Sequence, residues 1–393
     1  MTAPTLDESR GTDTSTLGSL TSAQLARLCG VAGLSPVDAK TYAAVLAEAL
    51  GPVAERPLHL PPPSRTFLSD DHTPVEYSLS FLPDGACALR VLVEPGCAAP
   101  DLARNGRVGL DVIRDMAYRW GFSTDRLDEL EDLFLPPAPQ GALALWCALE
   151  LRPGGVPMLK VYLNPAANGA EHCAETVREA LDRLGHGQAF ASLPPADGYP
   201  FLALDLGDWE SPRVKVYLRH DRLSVAEAAG LSRMGAGPGP AEIERFLRTA
   251  SGLGESVFGG NLLDVFETGP DGEERLTGRP VLTCHAFTKT SVGRPTGFTL
   301  HVPVRDYAPH DGESLSRATD LLRAYGMDPA PLPRALAAVT SRPLKDGVGL
   351  VAYLALAHQQ GRPPRVTTYI SSEAYDVRPP AAPRPVTAAT ATG

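Results

Sequence analysis

One short segment combines residue types that could bind an anion and shield a cation. Arg213, Lys215 and Tyr217 alternate with Val214 and Val216. On a β-strand, this period of two would put the cations and the tyrosine on one face and the valines on the other. Arg and Lys suit phosphate oxygens, and a tyrosine ring attracts a positive charge. The segment therefore predicts a strand whose polar face lines a binding site.

The same alternation occurs in two other segments, MLKVYL at 158–163 and RVTTYI at 365–370. The chain has only five lysines, and two of them, Lys160 and Lys215, stand two residues before a tyrosine of a predicted strand. This scarcity argues against a chance repeat of the pattern. Any one of these strands could expose its cations to solvent. A shared phase in three strands instead favours one common site.

Composition limits the classes of protein to consider. The 393 residues are 43% hydrophobic and 21% charged, which is typical of a globular protein, and no apolar run is long enough to span a bilayer. A net charge of −10 argues against general nucleic-acid binding. Because the polar, acidic start has neither a basic nor an apolar leader-like region, we expect no secretory leader, and the six cysteines show no CxxC spacing. We expect a cytoplasmic protein, monomeric or homodimeric, without a membrane partner, a disulfide frame or a zinc site.

Hairpins separated by helices make up most of the chain. The predicted strands are 75–82, 88–93, 143–151, 158–163, 201–206, 213–218, 281–288, 297–304, 349–357 and 365–371. The predicted helices are 21–30 and 36–50, with Thr21 and Ser35 as N-caps, then 100–120, 124–134, 169–185, 224–233, 240–252, 313–325 and 332–340. About five hairpins with intervening helices can close into a barrel that has no free edge.

The predicted fold class is α+β: a ten-stranded antiparallel β-barrel surrounded by α-helices. Residues 20–378 would form this single domain, between disordered tails at 1–19 and 379–393, the second rich in Pro, Ala and Thr. The aliphatic strand faces would pack under the helices and the Arg, Lys and Tyr faces would point into the lumen. Buried cations need a compensating anion, so we expect a guest such as a diphosphate. Tyrosines beside it would suit a carbocation formed when the diphosphate leaves.

With these features the chain resembles the dimethylallyl tryptophan synthase family of indole or aromatic prenyltransferases, in its bacterial type. The resemblance covers roughly residues 20–375. It rests on six strand motifs in order, TPVEYSLSF, ALRVLVEPG, LKVYLNP, RVKVYLRH, TLHVPVRDYAPHDGES and RVTTYISSEAY. It implies an ABBA-type barrel. It also implies a metal-independent enzyme of secondary metabolism that moves a dimethylallyl group from dimethylallyl diphosphate to an indole, most simply that of L-tryptophan.

The resemblance also implies roles for individual residues. Glu76 matches the glutamate that accepts a hydrogen bond from the indole N–H; without the motif it reads as an ordinary solvent-facing carboxylate. The matches to the diphosphate-binding cations are Arg90, Lys160, Arg213, Lys215 and Arg365. The matches to the tyrosines that shield the allyl cation are Tyr162, Tyr217 and Tyr369.

Two positions depart from the family pattern. His301 stands in TLHVP where related strands carry a tyrosine, which alters one wall of the shield and places a titratable ring near the leaving group. Family members often have a lysine, taken as the base for the ring proton, on the strand where this chain has Trp146 and Cys147. The proton acceptor therefore stays open between Glu76, His301 and water.

No cofactor or metal is expected. The acidic run 125–134 superficially resembles an Asp-rich magnesium motif, but its leucines predict an amphipathic surface helix.

Two alternatives to tryptophan prenylation remain. The acceptor could be a cyclic dipeptide, an indole alkaloid, tyrosine or another phenol. The barrel could also bind an isoprenoid or nucleotide diphosphate without catalysis, although Glu76 would have no purpose there.

Overall fold

The computed structural model describes residues 15–207, 212–253, 265–291 and 293–380. Ten antiparallel strands form a closed barrel in which every strand pairs with its neighbours in sequence, and the last strand pairs with the first. The barrel strands are β1 Val75–Phe81, β2 Cys87–Val93, β3 Leu145–Glu150, β4 Met158–Leu163, β5 Gly198–Leu206, β6 Val214–His220, β9 Val281–Phe287, β10 Gly297–Val302, β11 Val351–Gln359 and β12 Arg362–Ser371. The predicted fold class is confirmed.

Helices surround the barrel. Within the described ranges they are α1 Leu17–Val31, α2 Pro36–Leu50, α3 Leu102–Trp120, α4 Asp125–Asp128, α5 Glu131–Phe134, α6 Cys173–Arg183, α7 Val225–Ala229, α8 Pro240–Ser251, α9 Val304–Tyr307, α10 Asp311–Ala324 and α11 Pro331–Val339. Alternation in the strands explains the two layers. Tyr77 and Leu79 of β1 are buried beneath the helices, whereas Glu76, Ser78 and other inward residues face the lumen.

The first helix starts earlier than predicted. α1 begins at Leu17, and its N-cap is Thr16, whose hydroxyl accepts from the backbone N–H of Ser19 in a capping box. Thr21, the predicted cap, lies inside the helix and donates its hydroxyl proton to the carbonyl of Leu17. Residues 17–19 therefore belong to the fold and not to the predicted tail. Ser35 caps α2 as predicted.

Two other elements differ from the sequence prediction. The expected helix at 124–134 is two short helices, α4 and α5. Backbone bonds of the i to i+3 type at Leu130 tighten the chain between them and let Leu127, Leu130 and Phe134 all be buried. A small separate hairpin, β7 Phe266–Thr268 with β8 Glu274–Leu276, was not predicted, since strands of three residues carry no readable alternation.

Some predictions fall on parts of the chain that the structure does not describe. Residues 1–14 of the predicted tail 1–19 and residues 381–393 of the predicted tail 379–393 lie outside the described residues, and so does most of the predicted turn at 207–209. All six cysteines are free. Across the described ranges, no helix is long and apolar enough to cross a membrane.

Candidate active site

The barrel lumen and its opening to solvent together contain about 820 Å³ of space free of protein atoms. The structure brings all ten residues singled out in the sequence to its wall. They are Glu76, Arg90, Lys160, Tyr162, Arg213, Lys215, Tyr217, His301, Arg365 and Tyr369. The shared strand phase therefore does correspond to one site, and the residues divide into layers along the barrel.

The cations gather at one end because of the strand register. Lys160 on β4 stands opposite Asp205 on β5, and Lys215 on β6 stands opposite Ala203, two residues away from Asp205 on the same face. Arg90 on β2 stands opposite Glu150 on β3. Register thus places two carboxylates among the cations.

The sequence analysis missed the two carboxylates of the cation cluster, Asp205 and Glu150. Asp205 is the more buried of the two. It is 3% exposed, and its carboxylate accepts from Arg213 Nε at 2.5 Å. The ammonium nitrogens of Lys160 and Lys215 lie 3.6 Å and 4.0 Å from its Oδ1. A signal was present, because a lone aspartate in the apolar strand segment FLALDL must find a partner when it is buried.

Arg90 is held by a second carboxylate. Its Nε donates to Glu150 Oε2 at 2.9 Å, and its Nη1 donates to the Ser80 hydroxyl at 2.7 Å. The Ser80 hydroxyl in turn lies 2.7 Å from that of Thr367. Arg90 is therefore fixed in one orientation before any ligand arrives.

The cation cluster keeps a surplus of positive charge. Five cations face two carboxylates, Asp205 and Glu150, which leaves three positive charges when every side chain is ionised. Burial, together with Lys160 and Arg213, holds the pKa of Lys215 well below its usual value. Burial and the neighbouring Arg90 likewise lower the pKa of Arg365 to about 10. Among the described residues, Arg365 has no carboxylate within ion-pair distance. The cluster can therefore accept a multiply charged anion.

A belt of aromatic rings follows the cations along the lumen. The Tyr217 ring lies 5.7 Å from that of Tyr162 and 5.8 Å from that of His301. The His301 ring lies 5.8 Å from that of Tyr369, which in turn lies 6.1 Å from Tyr353. These rings surround the space beside the cation cluster with electron-rich faces.

His301 continues this belt as a neutral ring. Burial and the positive charge of Lys215 lower the pKa of His301 to about 3. Its Nε2 lies 3.3 Å from the Tyr369 hydroxyl. At neutral pH the imidazole therefore takes the place of an aromatic wall residue and adds no charge.

Glu76 lies at the other end of the lumen. It is 6% exposed, and among the described residues none donates a hydrogen bond to its carboxylate. Burial raises the pKa of Glu76 to about 7, although the nearby Arg305 opposes the shift. Leu68, Trp146 and Phe201 form an apolar cluster with Tyr217 on the inner wall. This end of the lumen therefore offers a flat aromatic guest an apolar wall and one open hydrogen-bond acceptor.

Trp146 is placed on the inner wall and Cys147 is not. The Trp146 indole N–H donates to Glu94 Oε2 at 3.2 Å, so this ring is oriented by a buried carboxylate. Cys147 lies on the outer face of β3, fully buried under the helices. Neither side chain offers a free base. Within the described part of the chain, no three His, Cys, Asp or Glu side chains form a group that could hold a metal ion.

Comparisons with known proteins agree with this geometry. The model of the tryptophan dimethylallyltransferase family matches residues 24–331. A solved structure of the prenyltransferase PriB, a ternary complex with L-tryptophan and dimethylallyl thiolodiphosphate, is 62% identical and superposes with a TM-score of 0.88. The match covers 94% of this chain and 100% of PriB.

Two further structures extend the comparison. The 5-dimethylallyl tryptophan synthase from Streptomyces coelicolor is 63% identical, with a TM-score of 0.86 and coverage of 94% of this chain and 99% of that one. The 6-dimethylallyltryptophan synthase from Micromonospora olivasterospora is 39% identical, with a TM-score of 0.81 and coverage of 93% and 100%. The chain therefore belongs to the tryptophan dimethylallyltransferase family and is a prenyltransferase.

Proposed function

We propose that this enzyme transfers the dimethylallyl group of dimethylallyl diphosphate to the indole ring of L-tryptophan and releases diphosphate. The observation that carries the proposal is the layered lumen: a cation cluster with surplus charge, then an aromatic belt, then the open carboxylate of Glu76. The structures of PriB and of the two synthases, solved with tryptophan and a dimethylallyl thiolodiphosphate, support the same pair of substrates.

The cation cluster would stabilise the leaving group. The carbon–oxygen bond of the allyl diphosphate breaks, and diphosphate departs with the electron pair. Arg90, Lys160, Arg213, Lys215 and Arg365 would hold the charge that develops on its oxygens. Because Asp205 and Glu150 already orient three of these cations, little reorganisation is needed during the reaction.

The aromatic belt and Glu76 would then direct the cation to the ring. Tyr162, Tyr217 and Tyr369 face the allyl cation and shield it from water. Glu76 accepts the indole N–H, which makes the ring richer in electrons as a ring carbon forms the new carbon–carbon bond. The same ring carbon then loses its proton.

The acceptor of the ring proton is Glu76, His301 or water. Between the two side chains Glu76 is the stronger base, since its pKa is raised to about 7 whereas that of His301 is lowered to about 3. No metal ion takes part in the proposed reaction, because the basic strands themselves balance the diphosphate charge.

Product analysis tests the proposal directly. The purified protein is incubated with dimethylallyl diphosphate, EDTA and one acceptor at a time: L-tryptophan, a cyclic dipeptide containing tryptophan, tyrosine or a simple phenol. Mass spectrometry should show a monoprenylated product with L-tryptophan, formed fastest among the acceptors, and NMR should locate it on the indole ring. Turnover that requires added magnesium would refute metal independence. Tight diphosphate binding without any product would instead support the non-catalytic barrel.

A further inference from the structure

One buried arginine, Arg305, takes no part in the proposed chemistry. Arg305, in α9, is 5% exposed and is absent from the described lining of the cavity. Its guanidinium carbon lies 4.9 Å from the centre of the Tyr353 ring. Its Nε and Nη1 are buried and, within the described ranges, have no hydrogen-bond partner. A buried guanidinium with unused donors calls for a functional explanation.

Strand register connects Arg305 to Glu76. Glu76 on β1 stands opposite Ser371 on β12, and Tyr369 follows on the same face of β12. Tyr369 stands opposite Tyr353 on β11, and Arg305 covers the Tyr353 ring. The arginine and the carboxylate therefore lie at the same end of the barrel.

The charges around Arg305 do not balance. Asp70 Oδ1 lies 3.4 Å from Arg305 Nη1 but accepts a shorter bond, 2.7 Å, from Arg279 Nη1. Arg279 and Arg378 also share Asp306, each at 3.3 Å. Three arginines thus face two aspartates in this cluster, and one positive charge is left over. Outside this cluster, the charge of Glu76 also raises the pKa of Arg305 and so opposes the effect of burial.

We propose that Arg305 is a positioning residue that keeps Glu76 ionised, so that its carboxylate can accept the N–H of an indole. The inference rests on the proposed function, since it takes Glu76 as the group that faces the acceptor ring. Burial by itself would favour the neutral acid, which is a much poorer acceptor. A fixed cation offsets that penalty and leaves the carboxylate free for the substrate.

Other groups around Glu76 act in known directions. Asp70, in the loop before β1, raises the pKa of Glu76, and Arg305 lowers it. On β12 the register partner of Glu76 is Ser371, with Tyr369 next on the same face, and β2 presents the apolar Leu92 opposite. Removing Arg305 and removing Asp70 should therefore change the ionisation of Glu76 in opposite senses. A purely structural role for the cluster would not give opposite signs.

The experiment measures kcat/KM for prenylation of L-tryptophan against pH. The wild-type enzyme should lose activity as pH falls through the pKa of Glu76, near 7. Arg305→Gln should move this acidic limb upward by about one pH unit, which is about a fivefold loss at pH 7 that is almost fully recovered by about pH 9. Arg305→Lys should keep the limb in place, and Asp70→Asn should move it downward.

Controls separate this role from others. Arg279→Gln removes a cation from the same Asp70 and should not raise the limb as Arg305→Gln does. The double variant Glu76→Gln/Arg305→Gln should lose the limb altogether. A loss by the same factor at every pH would overturn the inference. The inference would also be overturned if Arg305→Gln lost activity with L-tryptophan but not with tryptamine, which has no carboxylate. Arg305 would then bind the carboxylate of the acceptor.

A second measurement does not depend on turnover. NMR titration of the Glu76 carboxyl carbon in the protein without substrates, assigned by comparison with Glu76→Gln, should show the same upward and downward shifts. Shifts with an enzyme that fails to prenylate tryptophan would support the inference and reject the proposed function. If the wild-type enzyme prenylates tryptophan but the pKa of Glu76 is the same in Arg305→Gln and Asp70→Asn, the inference is rejected and the proposed function is kept.

Discussion

The two ends of the lumen treat buried charge in opposite ways. At the cation end, Asp205 and Glu150 hold Arg213, Lys160 and Arg90 in place, so most charges are paired before a ligand binds. At the other end, Glu76 is buried with no hydrogen-bond donor among the described residues. A strongly charged guest requires rigid, partly compensated cations. A neutral ring requires an acceptor that no protein group has already used.

Asp205→Asn should have the largest effect on the cation end. Removing one partner of a buried ion pair typically costs about 3 to 5 kcal/mol, and here three cations would lose their shared carboxylate. We expect the free energy of unfolding, measured with urea, to fall by that order. Diphosphate should then raise the melting temperature more than in the wild type, because it replaces the lost charge. Asp221→Asn, an exposed partner of Arg219, is the matched control and should change little.

Arg213→Ala and Lys215→Ala should each impair catalysis next most strongly. Losing one preorganised donor to a developing anion typically costs on the order of 3 kcal/mol, which is a hundredfold loss in kcat. Arg219→Ala changes a half-exposed arginine on the same strand and serves as control. Steady-state rates close to wild type in the first two variants would show that β6 does not hold the leaving group.

Glu76→Gln tests the hydrogen-bond acceptor at the opposite end of the lumen. The variant keeps a neutral acceptor but loses the charge, and a hydrogen bond to a charged group is worth about 1.5 to 3 kcal/mol. We expect kcat/KM with L-tryptophan to fall by about that amount while the fold is retained. Ser78→Ala, the next inward residue on β1, should have little effect.

An N-methylated indole acceptor checks the cause of the Glu76→Gln loss. It cannot donate the bond, so it should react slowly with the wild type and lose little more in the variant. Equal losses with both acceptors would remove the hydrogen-bonding role from Glu76 and leave proton removal or packing.

Tyr217→Leu should have the smallest effect of these variants. It keeps an apolar side chain but removes one electron-rich ring of the belt, a cation–π contribution of about 0.5 to 2 kcal/mol. The fraction of dimethylallyl diphosphate lost to the alcohol should rise, since water reaches the cation more easily. Tyr217→Phe keeps the ring and should stay close to wild type. An unchanged product ratio in the leucine variant would argue against shielding by this residue.

The repeated alternation of side chains made much of the fold predictable. A period of two in β4, β6 and β12 assigns Lys160, Tyr217 and Arg365 to one face whatever surrounds the strand, and local turn residues mark the hairpins. Prediction failed where local pattern is weak, as in the three-residue strands β7 and β8. It also failed where burial required a tighter turn, as at Leu130 between α4 and α5.

The sequence by itself determined which side chains point inward, because alternation is a local property of an extended backbone. Only the closed barrel decided which of them meet. Lys160 and Asp205 are far apart in the chain and become neighbours through the register of β4 and β5. Enclosure also decided the state of each charge: burial raises the pKa of Glu76 to about 7 and lowers that of His301 to about 3. Those shifts depend on solvent exclusion by all ten strands together, which no single segment can specify.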